Sequence, residues 1–269
     1  MNPLMHVLHV PFLGLLVALP AQDPVKPQEP ATKAVSATTK DDAATAKDPA
    51  IVAVDAFIAS KNIDKTKAGW KTSLSKPPNL PFDKNSDYFW HLETEHGVMK
   101  IRYFADASPA HVSSGIYLSR LGFYDGLGFH RVIPGFMAQG GDPLGNGQGG
   151  PGYRIDAEFK NGLKHTKAGI LSMARTPDPN SAGSQFFITF KDTGMLDDSP
   201  DRPGYTVWGE VVEGLDVVKV LESKGNPDRA ANGAMAKPIK IVRATVSVAP
   251  KAAKAEPAKS EPAKEGDKK

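Results

Sequence analysis

Between Phe129 and Tyr153 the chain reads FHRVIPGFMAQGGDPLGNGQGGPGY, a stretch whose two halves call for different chemistry. The first half sets Phe129, Val132, Ile133, Phe136 and Met137 around three polar residues, His130, Arg131 and Gln139. A guanidinium is a permanently charged donor. Placed among large apolar side chains, it can donate hydrogen bonds but does not take up or release a proton. The second half is nearly all glycine, which marks an irregular surface connection where the backbone turns through positive φ.

Other chemistry can be weighed and set aside. Gly145-Asn146-Gly147-Gln148-Gly149-Gly150 satisfies the G-x-G-x-x-G pattern, but a dinucleotide fingerprint needs a helix after it, and Pro151-Gly152 follows instead. The lysine of a phosphate-binding loop is missing as well. Asp178-Pro179-Asn180-Ser181-Ala182-Gly183 opens like a calcium loop, yet its fifth position is Ala182 and its twelfth Thr189, so it reads as a turn. No His-x-x-x-His pair speaks for a metal centre. His91 and His165 read as surface or strand residues, and no serine sits in a nucleophile elbow. Zero cysteines exclude disulfides, thiolate zinc sites, lipid-anchored cysteine and cysteine nucleophiles. With 33 basic against 30 acidic residues, the charge is too balanced to imply a nucleic-acid partner.

These residues need a scaffold, and 269 residues with 40% hydrophobic content can bury one good core plus tails. YFWHLET and VMKIRYF are β-rich runs joined across Glu95-His96-Gly97, the signature of a hairpin. Ser108-Pro109 reads as N-cap and first residue of a helix with Val112 and Ile116 on one face, ended by Gly122. FHRVI, FMAQGG, GILSMA, QFFITF and YTVWGEV are further short strands, GLDVVKVLESKG is a second helix, and PIKIVRATVSV is a closing strand. Many short strands with few helices predict a mainly β fold, an antiparallel sheet closed on itself to avoid exposed edges.

The flanks divide by composition. In residues 1–21 the apolar run Phe12 to Leu19 is too short to span a bilayer and resembles a signal peptide, although no Lys or Arg precedes it and Leu19-Pro20-Ala21 replaces a small-x-small cleavage site. Export to a periplasmic or extracellular location is the expectation, without stable membrane insertion. Residues 22–50 are Pro, Ala, Thr, Lys and Asp with hardly a large apolar side chain, which predicts a disordered linker. Residues 51–85 form an N-terminal extension. Ile51, Val54 and Ile58 recur at helical spacing, and Pro77, Pro78 and Pro81 then enforce an extended segment. Phe57, Trp70 and Phe82 would lay this extension against the main domain, residues 86–248. Residues 249–269 read as a disordered Ala/Lys/Pro/Glu tail.

Three longer motifs, FHRVIPGFMAQGG, LKHTKAGILSMARTPDPNSAGSQFFITF and YTVWGEVVEGLDVV, resemble the cyclophilin family of peptidyl-prolyl cis-trans isomerases from about Tyr88 to Val248. The resemblance implies an eight-stranded antiparallel barrel capped by two helices, with the substrate in an outer groove and no cofactor. It places the catalytic arginine at Arg131, with Phe136 and Gln139 beside it, and the proline pocket at Phe136, Met137, Phe187 and Leu196. Gln139 matches the groove glutamine. Ala174 falls on the wall that receives the preceding peptide residue, and His130 and Gln185 match neighbouring motif positions. Phe129 and Phe186 read as core, and His130 as a groove-lining residue. Met195 stands where cyclosporin-binding members carry a tryptophan, and Tyr205 replaces their groove histidine. Arg175-Thr176 with Asp178-Pro179-Asn180 is similar to the bacterial branch.

The implied activity answers to simple physics. Rotation about an X-Pro amide faces a barrier of roughly 18–20 kcal/mol. Twisting makes the proline nitrogen pyramidal and returns a lone pair that a guanidinium can meet with a hydrogen bond. Proline-containing unfolded or flexible polypeptides are the implied partners, and a monomer is the expectation. A noncatalytic binder of proline segments, or a chaperone, on the same barrel is the alternative.

Overall fold

A computed structural model describes residues 45–228 and 230–251. The apolar run at residues 12–19, residues 22–44 of the expected linker and residues 252–269 of the expected tail lie outside the described residues.

Eight strands close into an antiparallel barrel in the order β1-β2-β7-β5-β6-β4-β3-β8. They are β1 (Ser86–Thr94), β2 (Gly97–Tyr103), β3 (Gly128–Ile133), β4 (Met137–Gly140), β5 (Ile170–Met173), β6 (Phe186–Thr189), β7 (Val207–Glu213) and β8 (Ala234–Pro250). The hairpin turns at Glu95-His96, as the sequence predicts. Alternation then decides what enters the core. In β1 the buried positions are Tyr88, Trp90, Leu92 and Thr94, and in β2 Met99, Ile101 and Tyr103. Trp90 meets Tyr103, Tyr124, Phe186 and Trp208 with ring centroids 4.9–6.1 Å apart, so one aromatic cluster fills the barrel. β8 keeps its apolar face inward by slipping register. Its buried positions run Ile239, Ile241 and then Ala244, Val246, Val248, and the change of phase falls where Glu93 faces Arg243 but Thr94 faces Ile241.

The helices α1 (Pro49–Lys61), α2 (Pro109–Arg120) and α3 (Leu215–Ser223) accompany the barrel. α2 begins at Ser108-Pro109, but the Ser108 hydroxyl does not cap it. That hydroxyl donates to the Val207 carbonyl at 2.7 Å. Glu158 accepts from the amides of Ala110 (3.0 Å) and His111 (3.1 Å) instead and bonds the His111 ring at 2.6 Å. Burial pushes the Glu158 carboxyl up, but the hydrogen bonds from His111 and Ala110 outweigh it and hold the group below the usual carboxylate range.

The expected linker ends earlier than Ala50. Asp48 caps α1 through the amides of Ala50 and Ile51, and its other oxygen accepts from the Tyr88 hydroxyl at 3.0 Å. Thr45 accepts from the Val248 amide at 2.8 Å, and Ala50 and Ile51 are fully buried. Short polar side chains read as linker, yet here they serve a cap and a strand end. At the other end β8 runs to Pro250, and the Lys251 amide donates to the Asn85 carbonyl at 2.7 Å, so the ordered chain passes the expected boundary at 248. The extension lies against α2, the turn that follows it and β1 through its aromatic residues. Phe57 meets Tyr117, Trp70 meets Phe123 and Phe82 meets Tyr88, all edge-on, while Arg120 forms a two-pronged pair with Asp55 at 2.9 and 2.6 Å.

Candidate functional site

Strand register assembles the polar part of the site. Arg131 on β3 faces Gln139 on β4, and Gln139 faces Phe187 on β6, so the three side chains share one face of three adjacent strands. Their neighbours Val132, Ala138 and Phe186 point the other way, into the core. Phe129 and Phe186 are core residues, as read from the sequence. Arg131 is held from two sides: Nε and Nη2 donate to the backbone and side-chain oxygens of Asn232 at 2.9 and 2.8 Å, and Nη1 donates to Gln139 Oε1 at 3.2 Å. Three of its five N–H donors are thereby used, which leaves two for a ligand. Burial draws the guanidinium below its ordinary pKa, with Tyr205 acting in the opposite sense.

The relay continues away from Arg131. Gln139 Nε2 donates to Gln185 Oε1 at 2.9 Å, and Gln185 Nε2 donates to the carbonyls of Gly147 (3.0 Å) and Gly149 (2.8 Å). The glycine loop is therefore an acceptor surface for Gln185. It is shaped by a residue the sequence reading passed over, Asp142, which is 2% exposed. Its carboxylate accepts from the amides of Leu144 (2.8 Å), Asn146 (2.9 Å) and Gly147. A Cβ at Gly149 would overlap that carboxylate, so the wrapped loop requires glycine there.

The apolar part lies on the other side of Phe187. The Phe187 ring, 5% exposed, packs edge-on against Tyr205 (5.7 Å) and is stacked on His165 (6.0 Å, 11° between planes). Leu196 closes a short 3₁₀ turn, Gly194–Leu196, and its carbonyl accepts from the Tyr205 amide at 2.9 Å. Met137 is buried on β4, Phe136 just before it is half-buried, and Met195 stands out at 63% exposure. The turn is anchored by Asp197, which accepts from the His165 amide and ring Nδ1 at 2.9 and 2.8 Å, while His165 Nε2 lies 2.9 Å from Ser172 Oγ. The expectation that His165 is a surface or strand residue is thus corrected. It is 1% exposed, it precedes β5, and it backs the floor of the pocket. Burial lowers its pKa, with Asp197 pulling the other way.

His130 lies beneath the glycine loop, with Nε2 3.8 Å from where a Gly147 Cβ would sit. It is 8% exposed, neither ring nitrogen has a protein partner, and burial lowers its pKa, so at neutral pH it is an uncharged wall rather than an acid. Ala174 is joined to the relay through its amide, which donates to the Gln185 carbonyl at 3.0 Å. Gln139, Ala174 and Gln185 also line a groove of about 620 Å³ with the glycine loop and Thr72 of the N-terminal extension. Among the described residues no cluster of three or more His, Asp or Glu is placed to hold a metal ion, and no helix is long and apolar enough to cross a membrane. The site as built can bind a small apolar ring beside a fixed cationic donor. It offers no nucleophile or proton relay at that point.

Three residues beyond those named from the sequence hold this arrangement: Asn232, Asp142 and Asp197. Asn232-Gly233 is a turn dipeptide with both residues at positive φ, which is a usable signal. Asp142-Pro143, at the start of the glycine run, is a turn signal of another kind. Asp197 leaves no local trace, because its partner His165 is 32 residues away.

The comparisons with known proteins agree with this fold. Residues 89–246 match the family model of the cyclophilin type peptidyl-prolyl cis-trans isomerases. A peptidyl-prolyl cis-trans isomerase of Synechococcus elongatus is 46% identical over 138 residues, covering 51% of this chain and 89% of that protein. The peptidyl-prolyl cis-trans isomerase-like 1 of Rhizopus delemar is 45% identical over 131 residues, 48% of this chain and 76% of that one. The crystal structure of a Cryptosporidium parvum cyclophilin type isomerase aligns with a TM-score of 0.54 and 32% identity over 60% of this chain and 97% of its own. The same protein in the presence of the dipeptide Ala-Pro gives 0.53 over 59% and 98%. With the family model spanning more than half of its length and the barrel closing in the same way, the chain belongs to the cyclophilin-type peptidyl-prolyl cis-trans isomerases.

Proposed function

We propose that the protein accelerates rotation about X-Pro bonds by holding the proline ring against Phe136, Met137, Phe187 and Leu196 while Arg131 donates to the proline nitrogen. In the planar amide that nitrogen is a poor acceptor. As the C–N bond twists it becomes pyramidal, and the hydrogen bond from Arg131 strengthens in the transition state more than in either ground state. Gln139 and Asn232 keep the guanidinium from following the peptide, so its position is set before the substrate arrives. The apolar pocket excludes water from the ring and leaves the acyl side free to swing. No bond is made or broken.

The observation that carries this reading is the two-sided fixation of Arg131, with two donors unspent, at the edge of an apolar site. The substrates are proline-containing segments of unfolded or flexible polypeptides, which suits a role in protein folding. The Cryptosporidium parvum relative with Ala-Pro supports a proline dipeptide as the minimal ligand. Export from the cytoplasm, a monomeric state and a place in the bacterial branch are further parts of the proposal. They rest respectively on the apolar run at residues 12–19, on the absence of any sequence feature that calls for association, and on Arg175-Thr176 with Asp178-Pro179-Asn180.

Exchange NMR on a short X-Pro peptide tests the activity directly. Addition of catalytic amounts of the protein should bring cis/trans exchange from tens of seconds into the range that exchange cross-peaks report. Binding of the peptide without faster exchange would contradict the proposal and favour the noncatalytic binder.

A further inference from the structure

The family model begins at residue 89, yet the groove upstream of the proline site is not built from that domain alone. The extension reaches it. The Leu74 amide donates to the Pro151 carbonyl at 2.8 Å, which ties the extended segment to the exit of the glycine loop. Gly152 takes φ +98°, and a Cβ there would lie 2.8 Å from the Thr72 carbonyl and 2.9 Å from the Leu74 nitrogen. Thr72, which is exposed, then lines the groove together with Ala174 and Arg154. The extension is held there from behind by Trp70 on Phe123 and by the Leu80 amide on Ser113 Oγ at 2.9 Å.

The charge of this pocket is one-sided. Its charged lining residues are Arg154 and Arg175, and no Asp or Glu lines it. Arg175 is spent: it donates to the carbonyls of Thr176, Pro177, Pro203 and Gly204 and lies 4.4 Å over the Tyr205 ring. Arg154 is not. Its side chain is 72% exposed, and its salt-bridge partner is Asp178 at the loose distance of 3.6 Å. In an extended peptide, side chains two residues apart point to the same side. A peptide with its proline on Phe187 and its preceding residue at Ala174 therefore turns the side chain two positions before proline into this pocket.

We propose that the N-terminal extension is part of the substrate site, and that Thr72 and Arg154 together select an acidic side chain two residues before the proline. The inference rests on the isomerase reading above and adds to it a preference read by Arg154 of the barrel in a pocket that the extension helps to wall. A carboxylate would displace Asp178 from Arg154 and meet a guanidinium with few competing partners. A lysine in the same place would meet only like charge.

The test uses the full chain and three peptides in one frame, Glu-Ala-Pro, Gly-Ala-Pro and Lys-Ala-Pro, with kcat/KM read by exchange NMR. The expected order is Glu above Gly above Lys, with Glu exceeding Lys about two- to fivefold, the range of an exposed ion pair. Arg154→Glu should reverse the order of Glu and Lys. Thr72→Trp, a substitution at an exposed position, should fill the pocket and lower the Glu to Gly ratio. A ratio within one protein is unaffected by how much of that protein is folded. Equal rates for Glu and Lys overturn the charge preference, and a wild-type ratio in Thr72→Trp overturns the role of the extension whatever Arg154→Glu does. Failure to accelerate any of the three peptides would instead sink the isomerase reading, and this inference with it.

Discussion

The two ends of the groove are made of different material. At the proposed proline end the surface is made of side chains on strands and one short turn: Arg131, Phe136, Met137, Phe187 and Leu196. At the upstream end they are largely backbone, the carbonyls of Gly147 and Gly149 and the exit at Pro151-Gly152, wound around the buried carboxylate of Asp142. Gln139 and Gln185 join the two. A side-chain surface is fixed by packing and by strand alternation, and it tolerates little change of shape. A backbone surface needs an internal template, because glycine supplies no packing of its own. Asp142 is that template, and the fold spends a buried carboxylate on it.

That contrast can be broken from the upstream side, where the largest loss of stability is expected. Asp142→Ala leaves three amide donors of the loop without their acceptor, at a cost of about 2–3 kcal/mol. The urea midpoint should fall accordingly, and the loop carbonyls should no longer meet Gln185 in register, so turnover should drop as well. A protein with unchanged midpoint and turnover would show that the glycine loop holds its shape without the carboxylate.

The proline end can be sharpened by adding a side chain rather than removing one. Met195 is exposed at its rim and offers a thioether with no donor. An indole there would add an N–H and a flat apolar face, so Met195→Trp should tighten cyclosporin binding by one to two decades in Kd, about 1–3 kcal/mol. Inhibition titrations of the two proteins in one assay decide this. Nanomolar inhibition of the unmutated protein would show that the rim does not need the indole.

How much of each end could be read in advance follows the same division. Arg131, Gln139 and Phe187 are legible because FHRVIPGFMAQGG and QFFITF resemble the family's motifs and carry these positions with them; alternation alone would put Arg131 on the face of buried Phe129, and a register shift between the two separates them. The barrel is legible from its short β-rich runs, down to the hairpin at Glu95-His96. The roles of Asp142, Asn232 and the His165–Asp197 pair are not: the turn signals at Asp142-Pro143 and Asn232-Gly233 mark where the chain turns, but each side chain acts on backbone or on a partner remote in sequence, and no local pattern records what it holds. The end of the linker was misjudged on similar grounds. Thr45 and Asp48 look like polar filler until Val248 and Tyr88 arrive to bond them.

Glu158 supplies a smaller effect away from both ends. It replaces Ser108 as the cap of α2, so Glu158→Ala should cost about 1 kcal/mol, read as a lower thermal midpoint. Its pH signature has a definite sign. The folded carboxyl sits below its unfolded value of about 4.3, so its contribution is present above that pH and is lost as pH falls through the lower folded value. The difference in stability between wild type and Glu158→Ala should therefore shrink on the acid side, as pH falls through the range of the carboxyl. A difference independent of pH down to strong acid would mean that the carboxylate charge contributes nothing to the cap.

The central claim is that Arg131 acts on the twisted amide and not on the bound ground state. Line-shape NMR on an X-Pro peptide separates the two, since it reports the dissociation constant and the exchange rate within the complex independently. Arg131→Ala should slow exchange in the complex by about a hundredfold or more while leaving the peptide Kd within about threefold. Arg131→Lys should recover only part of the loss, because an ammonium cannot keep the bonds to Asn232 and Gln139 and still present donors to the peptide. Weakened binding with an undiminished exchange rate in the complex would contradict the account.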